Sequence, residues 1–268
     1  MSGTADHAWY IYAIRADDRP IEAVDGLLPG VSIEMIAVGR VFVLASLVLR
    51  ALFDRDDPAN RCAEPDWMAE RAAAHHHVNV AAMAAGPSLP LSFGTMFTSL
   101  ARLAEWVRPR EASLVAAFDR VAGREEWLLT VEEAPDRHLA WLQAHDPDLV
   151  MLQAKAAASG EGLGFLLARR IEKAGVVARE AHLRATCEEV ETTLQALAES
   201  VLPESRHDGL PAWSILAAQA DAPGPRIVHG LDRLHQSLAP RGLGVRLTGP
   251  WPAYAFARAL CEQEMADV

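Results

Sequence analysis

One long amphipathic helix constrains the fold of this chain more than any other feature. Between residues 164 and 202, apolar side chains recur at alternating spacings of four and three residues. Such spacing forms one apolar stripe along a helix. The repeat spans fewer than three heptads, which favours a helix laid across a sheet over a coiled coil. The stripe consists of Leu183, Cys187, Val190, Leu194, Leu197 and Val201.

The segments around this helix predict its partners. Strand-like segments lie at 124–133, 212–220 and 244–251, and a second helical pattern at 225–240 carries Ile227, Leu231 and Leu234 on one side. The order of strand, long helix, strand, helix and strand is that of a split β-α-β unit. Residues 134–163 are rich in Ala, Pro and Asp and favour no single structure.

The first half of the chain predicts a separate α+β domain. A length of 268 residues favours two domains, and we place the boundaries at 1–123, 124–250 and a tail at 251–268. Pro90 favours a sheet edge, Asp66 is a candidate N-cap, and Gly86-Pro87 ends a helix. The predicted elements are a strand at 8–15 covered on both faces, a hairpin at 31–39 and 40–48, a helix at 66–85, a strand or tight connection at 88–97, and helical residues 99–122 interrupted near Pro109.

Charge and composition exclude several classes of partner. The net charge is -11, and Lys155 and Lys173 are the only lysines. A surface of this kind repels phosphate backbones and anionic lipid, so we expect neither nucleic acid nor membrane as a partner. The longest strongly apolar run, 41–49, has half the length that a bilayer requires, which indicates a cytoplasmic protein. Three widely spaced cysteines indicate neither a disulfide framework nor a Cys-rich zinc site.

Three consecutive histidines, His75, His76 and His77, are the most conspicuous candidate for chemistry. Successive residues on a helix point about 100° apart, so these side chains cannot converge on one ion. Four residues on, the chain has Asn79, Val80 and Ala81, and none of these is a useful metal ligand. We therefore expect one packed or hydrogen-bonded histidine with the others solvated, and no metal or cofactor.

Two further patterns also favour a structural interpretation. Gly160, Gly162 and Gly164 precede a helix as in a phosphate-binding loop, but no clear strand precedes them and no lysine follows, so a flexible loop leading into a helix is favoured. Glu125 and Glu126 would point to opposite faces of a strand and cannot form a catalytic pair. Nothing in these motifs requires an enzyme.

Five short motifs occur in order along the chain. They are Tyr10-Ile11-Tyr12-Ala13-Ile14, Trp67 followed by His75-His76, Pro90-Leu91-Ser92-Phe93-Gly94-Thr95, Phe165-Leu166-Leu167-Ala168-Arg169-Arg170, and Gly249-Pro250-Trp251-Pro252-Ala253-Tyr254-Ala255-Phe256. Together they resemble the GvpL/GvpF family of gas vesicle proteins. Ser92 replaces the arginine that is usual in the third motif, and Ala253 and Ala255 depart from the family's proline and serine in the last.

The resemblance implies a two-domain α+β protein, with an N-terminal domain of unusual topology, a modified ferredoxin-like (βαββαβ) C-terminal domain and a tail. It implies a non-enzymatic accessory or assembly role in gas vesicles, the gas-filled compartments that provide buoyancy. The implied partners are the apolar main shell protein, of the GvpA type, and other accessory vesicle proteins. The implied location is the cytoplasm and the gas vesicle.

Contact with such a partner could involve a sheet edge at Pro90 or the aromatic side chains of the tail. The candidate residues are Trp251, Tyr254, Phe256, Pro90 and Phe93; the alternative role of the tail rings is to dock the tail onto the C-terminal domain, and that role is favoured. Two other functions stay open: a small-ligand regulatory protein built on the ferredoxin-like half, and a metal-dependent enzyme that uses the region of His75–His77.

Overall fold

The computed structural model describes residues 7–53, 61–219 and 224–259. Their contacts divide the chain into two compact units, which are residues 7–126 together with 250–259, and residues 127–249. The second unit is therefore an insertion between two segments of the first. The predicted boundaries at 123 and 250 stay a prediction.

The first unit is built on one antiparallel sheet in the order β2-β3-β1-β4, and β5 also pairs with β1. The predicted hairpin is confirmed, because Val38 of β2 pairs with Val41 of β3. Pro90 lies in β4 at the edge of the sheet, as predicted. The strands are β1 (His7–Arg15), β2 (Glu34–Val38), β3 (Val41–Leu49), β4 (Ser88–Pro90) and β5 (Met96–Phe97).

Strand β1 is covered on both faces, which confirms the prediction from its aromatic and β-branched sequence. Its register against β3 shifts between Ile11 and Ala13. On one face Tyr10 and Tyr12 join a buried cluster with Val78 and Ala82, and on the other Ile11 joins a different cluster. The two tyrosine rings are 5.1 Å apart between centroids.

Three helices pack on this sheet: α1 (Pro65–Ala85), α2 (Leu100–Val107) and α3 (Glu111–Val121). A short 3-10 turn at Arg108–Arg110 separates α2 from α3, which confirms the interruption predicted near Pro109. The prediction for the start of α1 is wrong, because Glu64 is the N-cap and Asp66 already lies in the first turn. Pro65 occupies the first helical position, where its missing N–H costs nothing.

The second unit has the sheet order β7-β8-β6-β9. Its strands and long helices follow each other as in the predicted split β-α-β arrangement. The strands are β6 (Arg124–Glu133), which begins in the first unit, β7 (Ser200–Glu204), β8 (Ala212–Ala218) and β9 (Leu243–Trp251), and the helices are α4 (Pro135–His145), α5 (Pro147–Ala157), α6 (Glu161–Leu197) and α7 (Pro225–Leu238).

Helix α6 lies against this sheet, as predicted. Leu183, Val190 and Leu194 share one buried cluster with Leu129 and Ile215 of the strands. A helix of 37 residues is about 55 Å long. The stripe lies on the C-terminal half of the helix, and its burial against this four-stranded sheet explains why the apolar repeat is so short.

Two predictions for this unit are wrong. The helix ends at Leu197, and Val201 belongs to β7 instead. Gly162 and Gly164 do not form a loop, because they already lie inside α6, which begins at Glu161. The segment that favoured no single structure forms α4 and α5.

Candidate interaction surface and tail-docking site

His75 is the buried member of the histidine triplet. Only 4% of its surface is exposed, whereas His76 is half-buried and His77 is exposed. Its Nδ1 lies 2.9 Å from the Tyr10 hydroxyl, and its Nε2 lies 3.2 Å from the Leu91 carbonyl oxygen. The expectation of one packed or hydrogen-bonded histidine is confirmed. The expectation that the other two are solvated holds for His77 but is wrong for His76, which is half-buried and contacts Tyr254.

His75 has hydrogen-bonding partners at both ring nitrogens. Besides the Leu91 carbonyl oxygen, Nε2 has the Asn79 Nδ2 atom at 3.0 Å, one turn further along α1. Burial lowers the pKa of His75 to about 4 and raises the pKa of Tyr10. Both groups are therefore neutral at pH 7, and the chain of hydrogen bonds ties α1 to β1 and to the segment after β4.

The tail, residues 250–259, packs on the same part of the first unit. The Tyr254 hydroxyl lies 3.3 Å from His76 Nδ1, and the Trp251 ring lies 5.3 Å from the His76 ring between centroids. Burial raises the pKa of Tyr254 to about 12, so its hydroxyl stays protonated at neutral pH. Phe256 packs against the buried cluster that contains Ile11. The tail rings thus pack within the first unit, and the prediction that they dock onto the C-terminal domain is wrong.

Glu126 holds the start of the helical turn formed by residues 254–259. Its side chain is buried, and its Oε2 accepts hydrogen bonds from the backbone amides of Ala255 at 3.1 Å and Phe256 at 3.4 Å. A carboxylate at the N-terminus of a helix satisfies amides that have no partner within the helix, and it also interacts favourably with the helix dipole. Glu126 therefore has a structural role that the sequence motifs do not indicate.

We expect replacement of Glu126 by glutamine to loosen the tail. Loss of the charge weakens two hydrogen bonds and the interaction with the dipole, by about 1–2 kcal/mol in total. Amide hydrogen exchange at Ala255 and Phe256 should accelerate by roughly tenfold. Glu125→Gln is the matched control, because Glu125 is less buried, and should leave both amides unchanged. Equal exchange rates in the two variants would contradict this role of Glu126.

The other two predicted contact residues also lie within the first unit. Pro90 is buried in β4, and all three residues of that strand are buried. Phe93 is half-buried, and its ring centroid lies 5.7 Å from that of His75. The structure therefore brings Phe93 and Tyr254 together around His75, while the buried edge at Pro90 offers no open strand for pairing.

The second unit contains a buried ionic network that the sequence motifs do not indicate. His138 Nδ1 donates to Glu133 Oε1 at 2.6 Å, and His138 Nε2 lies 2.7 Å from His182 Nδ1. Arg179 binds both carboxylate oxygens of Glu133, and its hydrogen bonds hold the pKa of Glu133 below its ordinary value. Burial lowers the pKa of His182, whose ring stacks on Trp141.

A surface of exposed apolar side chains lies on the N-terminal half of α6. Among the described residues, the five most exposed large apolar side chains all lie on this one segment, and each is between 56% and 65% exposed. Exposed apolar side chains gathered in one place are typical of an interaction site. We call this surface the α6 apolar face, and it consists of Leu163, Phe165, Leu166, Val176 and Val177.

A groove between α4 and α6 adjoins this face through Val176. It has a volume of about 450 Å³, and Gly175 of α6 and Leu139 of α4 both line it. Glu133, His138 and Arg179 meet at its polar end. We call it the α4–α6 groove; its apolar lining includes Leu139, Leu142, Leu149, Ile171 and Val176.

The described residues include no group of three or more His, Cys, Asp or Glu side chains arranged to hold a metal ion. None of the helices in 7–53, 61–219 and 224–259 combines the length and the apolar character required to cross a membrane.

Comparison with known proteins identifies relatives along almost the whole chain. The family model described as gas vesicle synthesis protein GvpL/GvpF matches residues 8–258. Gas vesicle protein L of a Streptomyces species is 26% identical over 275 aligned positions, which span 98% of this chain and 97% of the relative. Gas vesicle protein L2 of Halobacterium salinarum is 26% identical over 192 residues, 67% of each chain.

Two solved structures share the fold. The crystal structure of gas vesicle protein GvpF from an Anabaena species matches with a TM-score of 0.67 and 17% sequence identity, covering 94% of this chain and 96% of the other. GvpF from Microcystis aeruginosa matches with a TM-score of 0.66 and 17% identity, covering 93% and 98%. Together with the two sheets described above, these similarities confirm the predicted α+β fold class.

Proposed function

The chain belongs to the GvpL/GvpF family of gas vesicle synthesis proteins, and from this premise we propose that it binds the apolar main shell protein during vesicle formation. Other accessory gas vesicle proteins are its further partners. The role is one of association, with no catalytic step, and it begins in the cytoplasm and continues at the gas vesicle.

The observation that carries this proposal is the α6 apolar face. A wall that stays dry inside needs subunits with an apolar surface, and such subunits aggregate when they are free in water. A partner that shields them must itself present apolar side chains outside its core. Phe165, Leu166 and Val177 are each more than 60% exposed, although α6 has a separate buried stripe with which it packs on its own sheet.

The charge of the chain suits the same role. A net charge of -11 keeps the protein soluble while it holds an apolar partner, because like-charged complexes repel one another. Trp251, Tyr254 and Phe256 have a different part in this proposal. They hold the tail on the first unit, since their rings are partly buried against His76 and the core cluster with Ile11.

Acidic substitutions on the α6 apolar face test the proposal. In co-expression with the main shell protein, we expect Leu166→Glu combined with Val177→Glu to reduce the co-purified shell protein about tenfold or more, as for the loss of an interface hot spot. Both side chains are exposed, so the fold should persist. The matched control is Val228→Glu on α7, another exposed valine of the same unit, which should retain binding.

Two results would overturn the proposal. One is the absence of any co-purified shell protein with the unaltered chain. The other is unchanged binding by the doubly substituted chain, provided that circular dichroism shows the helices intact. Equal loss in the double variant and in Val228→Glu would also count against a specific surface.

A further inference from the structure

The α6 apolar face has an unusual charge for this chain. Residues 162–178 contain three basic side chains, Arg169, Arg170 and Lys173, and one acidic side chain, Glu172, and all four are exposed. Over the whole chain the balance is reversed, with 36 acidic and 25 basic residues. The exposed apolar side chains are therefore interspersed with positive charge on an otherwise acidic molecule.

This contrast in charge favours an acidic partner. An acidic partner is repelled by most of the molecule and attracted to this one segment, which directs the encounter to the α6 apolar face. Arg169 already lies over the Phe165 ring, 5.8 Å from its centroid, so the positive charge is held next to an apolar contact. A partner side chain can meet the ring and the guanidinium together.

The shape of the α4–α6 groove favours a helical partner. Its walls are two helices, and its floor includes Leu142, Leu149 and Ile171 from three different helices. Such a groove accepts the apolar ridge of another helix, with anchors at spacings of three and four residues. Strand addition is less suited to this surface, because both walls are helices whose backbone groups are already hydrogen-bonded.

The polar end of the groove can also bind an acidic side chain. Arg179 uses Nε and Nη2 for Glu133, and its Nη1 takes no part in that pair. Arg179 is 42% exposed, whereas Glu133 is only 5% exposed and is already bound by His138. Of this ion pair, the guanidinium is therefore the exposed member; exposed Glu172 lines the groove about two turns of α6 away.

We propose that the α4–α6 groove and the adjoining part of the α6 apolar face, at Phe165 and Val176, form a receptor for one amphipathic helix of a partner protein. The apolar side of that helix lies in the groove, and carboxylates along its flank face Arg169 and Lys173, which are four residues apart and lie on the same side of α6 as the groove residue Val176. This inference deepens the proposed function and rests on it, since the helix is then part of the shell protein.

Two synthetic peptides of about 20 residues, long enough to form a helix, test the chemistry directly. Each has leucines on one helical face; one has glutamates on the other face and the second has lysines there. We expect the glutamate peptide to bind the full chain at least about tenfold more tightly in fluorescence anisotropy at low salt, and the preference to shrink as salt screens the charges.

Variants of the full chain locate the site. Arg169→Glu combined with Lys173→Glu should abolish or reverse the preference between the peptides, and Val176→Asp should weaken binding of both about tenfold. Arg226→Glu on α7 is the control for charge reversal, because Arg226 is exposed on another helix of the same unit, where it donates to the Ala196 carbonyl oxygen. It should leave the preference unchanged.

The outcomes separate the two proposals. Three results would overturn the proposed receptor site. They are equal binding of the two peptides, no binding of either peptide, and an effect of Arg226→Glu as large as that of the double charge reversal. If the shell protein still co-purifies in that case, the receptor proposal is wrong and the proposed function stands. If the shell protein fails to co-purify while the glutamate peptide binds as expected, the proposed function is wrong and the groove takes a helix of another protein.

Discussion

Replacement of Gly242 by alanine is expected to destabilise the second unit by about 4 kcal/mol, the largest effect of any single substitution considered for this protein. Gly242 has φ of +75°, in the left-handed region. A Cβ atom there would lie 2.7 Å from the Arg137 carbonyl carbon and nearer still to the His138 amide nitrogen. Both atoms belong to the backbone of α4, so a side-chain rotation cannot relieve the clash.

Gly209 provides a control that separates the two causes of this loss. It has nearly the same φ, +70°, and lies in the same unit, but a Cβ atom there would have no neighbour within 4 Å. Gly209→Ala should therefore cost about 1 kcal/mol, the backbone penalty alone. Urea unfolding followed by circular dichroism measures both changes, and similar losses in the two variants would show that α4 can shift away from Gly242.

Acid should destabilise the first unit through His75. The pKa of this side chain is about 4 in the folded protein, against 6.5 for a solvated histidine. The unfolded chain binds the proton first, so the contribution of neutral His75 is complete above pH 6.5 and is lost as the pH falls toward 4. This difference in pKa lowers the free energy of unfolding by about 3 kcal/mol at a pH near 4.

Two variants measure the contribution of His75. His75→Gln removes the buried imidazole, and His77→Gln is the control, because it makes the same change at an exposed position of the same helix. His75→Gln should lower the free energy of unfolding by about 2 kcal/mol at pH 7, since it disturbs the bonds to Tyr10 and Leu91. The difference from the unaltered protein should shrink as the pH falls from 7 and change sign as it approaches 4, because the loss of about 3 kcal/mol occurs only in the unaltered protein. His77 is exposed, so His77→Gln should retain the pH dependence. A constant difference for His75→Gln across this range would show that the folded protein accepts the charge.

The parts of the fold that can be predicted from the sequence are those in which apolar residues follow one clear pattern. Strand β1 and the stripe of α6 carry uninterrupted apolar patterns, and both lie where they are predicted. Helices α4 and α5 are absent from the prediction because each begins with a Pro-Asp pair, Pro135-Asp136 and Pro147-Asp148. Such pairs suggest turns, yet proline is equally suited to the first position of a helix, which it occupies in both.

The candidate surface could be predicted only in part. The motif around Phe165 is visible in the sequence, but the apolar residues of this segment occur on several sides of the helix, so no period separates exposed from buried positions. The groove also requires helix α4, which is not predicted from the sequence. The network of Glu133, His138 and His182 joins residues 5 and 44 positions apart, and its members become neighbours only through the packing of α4 on α6.

The position of the tail has a consequence for biosynthesis. Ala253 and Ala257 belong to the same core cluster as Ile11 and Val43, although more than 200 residues of chain separate them. A ribosome that adds about 5–20 residues per second needs roughly 6–25 seconds to make the intervening second unit. The nascent first unit must wait for that period with a gap in its core, so a chaperone that protects the growing chain would act on residues 7–126 before the tail emerges.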